Sequence, residues 1–109
     1  MEDLKCVYDG AQSFYGKAQV ERGDNFLKLY SYDTLVCTLQ SVKKRRWDED
    51  GNEDFYYKYV YILNYDIPLK DLFSKTTLRH IKEFLRQYYN NIVWTKKDII
   101  KYADNKMFE

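Results

Sequence analysis

Glycine and proline are scarce in this chain of 109 residues, which has four of the first and only one of the second, Pro68. Disordered and linker-rich chains carry far more of both. Hydrophobic residues at 45%, with aromatics at 18%, point instead to a single packed domain over residues 1–109. Histidine is rarer still. His80 stands alone, and Cys6 and Cys37 lie far apart with no CxxC, so a zinc site of the usual Cys/His kind has too few ligands. The glycines fall singly at 10, 16, 23 and 51, leaving no GxGxxG or P-loop, and no GxSxG occurs. No apolar run approaches the ~20 residues of a membrane span, and mean hydropathy is −0.71. The N-terminal MEDLKCVYDG lacks a basic-then-apolar signal layout. These absences predict a cytoplasmic, non-enzymatic protein with no cofactor, no metal and no membrane contact.

What is present is charge, tyrosine and pattern. Eighteen Lys and Arg against 17 Asp and Glu leave +1 overall. The balance is uneven: residues 1–68 hold 9 basic and 12 acidic side chains, and residues 69–109 hold 9 and 5. The earlier part reads as strands. Phe14, Gly16, Ala18 and Val20 alternate with polar neighbours in SFYGKAQV, a period of two. Residues 21–25 form a turn, then Leu27, Leu29 and Ser31 alternate with Phe26, Lys28, Tyr30 and Tyr32. After a break at Asp33 the pattern resumes through Leu35, Cys37 and Leu39, and a fourth strand covers about Phe55–Leu63. Cys37 reads as a small core residue. Pro68 cannot give an N–H to a ladder, so the sheet ends there. Ser74 then caps a helix on which Leu78, Ile81, Leu85 and Tyr88 share one side, widened by Phe84. Thr95 with Asp98 opens a second, shorter helix through about Asp104. The predicted fold is α+β: a four-stranded antiparallel sheet followed by two helices packed on one face, ββββαα. Leu78, Ile81 and Leu85 are expected to bury against Leu27, Leu29, Leu35 and Val60.

Three features bear on function. Leu27, Leu29, Leu35, Leu39, Val60 and Ile62 suit the helix-covered face, which places Tyr30, Tyr32, Tyr57, Tyr59 and Tyr61 on the opposite one. Such a row suits recognition of a protein, stacking on bases, or plain cross-strand stabilisation of the sheet. Lys75, Arg79, Lys82 and Arg86 form a basic stripe along the first helix, flanking its apolar side. It fits either a phosphate backbone or a solvated face, with Glu83 beside Arg79 to offset some charge. KKRRWDEDGNEDF sets four cations before Asp48, Glu49, Asp50, Glu53 and Asp54, with Gly51-Asn52 at a hairpin tip. Glu53 and Tyr59 stand where a calcium loop needs glycine and glutamate. The hairpin is thus a solvated loop or an acidic protrusion that fills a partner's basic channel. His80, at the edge of the apolar stripe, suits a hydrogen-bonded structural role, and nothing in the spacing singles out Cys6 and His80 as a nucleophilic pair.

FYGKAQV (14–20), LYSYDTLV (29–36) and SKTTLRHIKEFLRQ (74–87) together cover about a third of the chain. They resemble a family of small uncharacterised proteins encoded by phages, prophages and plasmids of Gram-positive bacteria, with a pattern like YGKA…SYNT…TTxRHIxEFL. Asp33 stands where that pattern has asparagine. The motif residues are Tyr32, Asp33, Thr34, Thr77 and His80. Asp33 and Thr34 suit a turn, and Asp33 is placed to contact Arg79 or His80 as a strand–helix tie. The resemblance implies no enzymatic activity and a role in phage–host conflict, a setting in which proteins of this size include anti-CRISPR inhibitors.

The sequence reading is therefore a non-catalytic mobile-element protein that binds and inhibits a host protein or ribonucleoprotein such as a CRISPR effector. Its partner-binding residues are Asp48, Glu49, Asp50, Glu53, Asp54, Tyr57, Tyr59 and Tyr61. The alternative is a nucleic-acid-binding accessory protein using Lys75, Arg79, Lys82 and Arg86.

Overall fold

The computed structural model describes residues 1–105. Its antiparallel sheet follows chain order: β1 (Glu2–Asp3), β2 (Ala18–Arg22), β3 (Phe26–Ser31), β4 (Thr34–Trp47) and β5 (Glu53–Leu63). Then come α1 (Leu69–Leu72), α2 (Lys75–Tyr88) and α3 (Lys96–Tyr102). The expectation of four strands and two helices is thus corrected to five and three among the described residues. The additions, β1 and α1, span two and four residues, too short to leave a period in the sequence. No helix among the described residues is long and apolar enough to cross a membrane.

The strand expected over SFYGKAQV begins only at Ala18. Tyr15 and Gly16 have φ of 54° and 77°, and the Lys17 N–H bonds the Phe14 carbonyl at 3.0 Å, so YGK is a tight turn. A second turn joins β3 to β4. Tyr32 and Asp33, at φ 51° and 65°, form a two-residue connection with the left-handed pair of angles that matches strand twist. Beyond it the register slips: Tyr30 faces Leu35, but Leu29 faces Cys37, so Val36 is an extra residue in β4.

That bulge decides which side chains reach the core. Val36, Cys37, Leu39, Tyr61 and Leu63 join Ala18, Val20 and Leu29 under Ile81, Phe84 and Leu85. Leu35, Val60 and Ile62 do not belong to this cluster, although Val60 is buried. Two expectations therefore change. Leu35 and Val60 do not pack under the helix, and Leu78 is only half-buried. Ile81 and Leu85 are buried as the helical period requires.

Both helix caps expected from sequence form. The Ser74 hydroxyl accepts from the Thr77 N–H at 3.3 Å, and the Thr95 hydroxyl accepts from the Asp98 N–H at 3.1 Å. β4 and β5 pair without interruption from Cys37↔Leu63 to Trp47↔Glu53. The helices cover only the Leu63 end of this ribbon, and the rest projects. The molecule is accordingly elongated, 52 × 26 × 25 Å.

Candidate functional site

The projecting half of the β4–β5 hairpin is where buried-face positions lose their cover. Side chains alternate along a strand, so Tyr57, Tyr59 and Tyr61 share one face, and Leu39 opposite Tyr61 identifies it as the core face. The placement of these three on the opposite face is thereby overturned. Tyr61 also leaves the set of exposed binding residues. It is 0% exposed, and its hydroxyl donates to the Ile99 carbonyl at 2.7 Å. Tyr59 and Tyr57, past the end of the helices, are 58% and 71% exposed. Phe55 and Trp47 continue the same face toward the tip, interleaved with Lys43 and Arg45. The Lys43 ammonium sits 4.1 Å from the centre of the Phe55 ring. Where the covered core ends, Tyr57 and Tyr59 border a groove of about 390 Å³ with Phe26 and Leu27 across it.

The acidic residues at the tip do not act as a free cluster. Asp48 holds the turn, accepting from the Asp50 and Asn52 N–H groups at 3.0 and 2.7 Å. Glu53 pairs with Arg45 at 2.6 Å, and Asp54 with Arg46 at 3.1 Å. The Phe55 N–H and then Arg46 hold the Asp54 carboxyl below its ordinary range. Asp48 has no cationic partner, and the Glu49 and Asp50 carboxylates have no partner of any kind among the described residues. Lys43, Lys44, Arg45, Arg46 and Lys58 balance the five acids, so the hairpin is an overall neutral ribbon with an acidic end.

The basic stripe is likewise partly committed. Arg79 grips Asp9 through both carboxylate oxygens, and this hydrogen bonding holds the Asp9 carboxyl low. Arg86 lies 4.2 Å from the centre of the Tyr8 ring and donates to Asn91 at 2.9 Å. Glu83, expected to offset Arg79, is buried instead. Its Oε1 accepts from the Val7, Tyr8 and Asp9 N–H groups at 2.8, 2.8 and 2.9 Å. These contacts fasten residues 7–9 to α2. Lys75 and Lys82 remain unpaired among the described residues.

Three of the motif residues, Tyr32, Thr77 and His80, converge around Ser31. Ser31 Oγ lies 2.8 Å from His80 Nδ1 and 3.1 Å from the Thr77 hydroxyl. Phe14 meets the His80 ring edge-on at 4.6 Å, and Tyr32 lies 5.9 Å from it. The Tyr32 N–H bonds the Lys17 carbonyl at 2.8 Å. The expected Asp33–Arg79 or Asp33–His80 contact is replaced by Arg79–Asp9 and His80–Ser31. Asp33 and Thr34 occupy the exposed turn. Burial, with Arg79 next in weight, lowers the His80 pKa from 6.5 to about 4. A neutral imidazole locked between two turns and a helix ties the fold together. Burial also pushes the Cys37 thiol well above its ordinary range, making it a core residue rather than a nucleophile.

Sequence reasoning missed Trp47 and Phe55 because their signal, two residues on the face of Tyr57 and Tyr59, depends on the cross-strand register. Among the described residues no three His, Cys, Asp or Glu side chains are grouped to hold a metal ion. A family model matches residues 2–101, and its description is that of a family of unknown function. No curated protein and no solved structure matches the chain.

Proposed function

The chain belongs to that family, DUF8033, and we propose that the protein is a non-catalytic binder that engages a host macromolecule with its projecting hairpin. One observation carries this reading: the core face of the sheet continues past its helices as Tyr59, Tyr57, Phe55 and Trp47, all exposed. Aromatic side chains offer large contact area at low rotamer cost, and their enrichment marks interface centres. The flanking Lys43 and Arg45, with Glu49 and Asp50 at the end, supply a polar rim of both signs. This mixed charge favours a protein or ribonucleoprotein over bare nucleic acid. The mobile-element role and the CRISPR effector suggested by the sequence motif are the finer form of this proposal.

Capture from a host lysate, with and without nuclease, tests it. Replacing Trp47, Tyr57 and Tyr59 together by alanine should abolish a nuclease-resistant capture, while replacing Lys75 and Lys82 leaves it intact. Capture lost on nuclease treatment, or lost with the two lysines alone, favours the nucleic-acid alternative.

A further inference from the structure

Backbone hydrogen bonding alternates along an outer strand, and in β5 the outward set is identifiable. The Tyr61 N–H donates to Asp104 and the Leu63 N–H to Asn105, at 3.3 and 3.1 Å, and the Tyr61 carbonyl accepts from the Asp104 N–H at 2.8 Å. Odd-numbered residues of β5 therefore turn their backbone groups away from β4. Asp104 and Asn105 seal this edge at Tyr61 and Leu63. From Glu53 to Tyr59 no backbone among the described residues pairs with it. No proline interrupts the open stretch and its ladder to β4 has no bulge, so the edge is guarded only by its charges, Glu53, Asp54 and Lys58.

We propose that this edge pairs antiparallel with the same edge of a second copy, forming a two-fold dimer whose sheet runs continuously through both chains. Both limits of the open stretch fix the register. Pairing Glu53 with the partner's Tyr59 uses all of it, sets Phe55 opposite the partner's Tyr57, and places Tyr56 on the two-fold axis. The charges agree with this register. Lys58 falls opposite the partner's Asp54, and the contact occurs twice by symmetry. On the other face, Phe55 and Tyr57 of the two chains make two cross-strand aromatic pairs. Pairing also hands the Phe55 N–H, now held by Asp54 Oδ1 at 2.8 Å, to the partner's Tyr57 carbonyl, which frees that oxygen for Lys58 while Oδ2 stays with Arg46. The inference goes beyond the binding role proposed above and does not depend on it.

Sedimentation of the full chain across the micromolar range should show a monomer–dimer equilibrium. Lys58→Glu and Asp54→Lys each bring like charges together twice and should weaken association about tenfold or more. An equimolar mixture of the two variants restores both opposite-charge contacts and should associate as tightly as wild type. With Cys6 replaced by serine, Tyr56→Cys should cross-link to its own counterpart on oxidation more readily than Tyr57→Cys. A wild-type chain that stays monomeric would overturn the dimer. So would a mixture no tighter than its components. Preferential cross-linking at Tyr57→Cys would overturn the register.

Discussion

Tyr59 and Tyr61 lie two residues apart on the same face of the same strand, yet Tyr61 is sealed in the core and Tyr59 stands more than half in solvent. The boundary between them is the end of the helical cover. On one side an aromatic ring is packing material, and on the other it is surface available to a partner. Tyr61 meets Tyr89 and Trp94 edge-on, at ring-centre distances of 5.0 and 5.9 Å.

This boundary predicts opposite responses to the same change. Tyr61→Phe strands the buried Ile99 carbonyl and should cost about 1–2 kcal/mol. Tyr59→Phe should stay within about 0.5 kcal/mol. Urea denaturation of the two variants checks the contrast, and equal midpoints would contradict the placement of Tyr61.

Ile81 sits at the centre of the face that α2 turns to the sheet and is fully buried. Truncation to alanine removes its packing and leaves a cavity, for an expected loss of about 2–5 kcal/mol. A loss under ~1 kcal/mol would show that the helix packs through another face.

His80 makes stability depend on pH. Its folded pKa of about 4 lies below the ordinary 6.5, so between those values the unfolded chain binds a proton that the folded chain refuses. Stability should be full above pH 6.5 and fall as pH drops toward 4, by at most about 3 kcal/mol from this residue. His80→Phe should be flatter across that window in a pH series of chemical denaturation, whatever its absolute stability. An unchanged slope would assign the proton uptake elsewhere.

Glu83 is the acceptor for three consecutive N–H groups of the N-terminal loop. Glu83→Ala should cost about 1–3 kcal/mol. Hydrogen exchange should quicken first at residues 7–9, while the β4–β5 ladder stays protected. Uniformly faster exchange would mean that the carboxylate supports the whole fold rather than this loop.

Much of this architecture was legible because it rests on local chemistry. Ser74 and Thr95 cap helices by the hydroxyl rule, and the α2 face follows from the spacing of Ile81 and Leu85. The facing of β5 was not. Judged by hydropathy, Val60 and Ile62 belong inside and tyrosines outside. The Val36 bulge and the acceptor waiting at Ile99 put Tyr61 under the helices instead, and both are non-local facts. The hairpin's charges were visible, but the Arg45–Glu53 and Arg46–Asp54 pairs that quiet them depend on cross-strand register. Of the motif residues, Tyr32, Thr77 and His80 do meet, yet around Ser31, which looked like an ordinary strand position.

The contact between Glu83 and residues 7–9 has a further consequence for biosynthesis. A ribosome delivers Val7 long before Glu83, so the opening segment emerges with no acceptor to receive it. The β2–β3 and β3–β4 hairpins are local and can form as they appear, whereas the first loop must wait until α2 is released. Residues 7–9 therefore find their place only after α2 has been made, so a late step of maturation joins segments 74–76 positions apart.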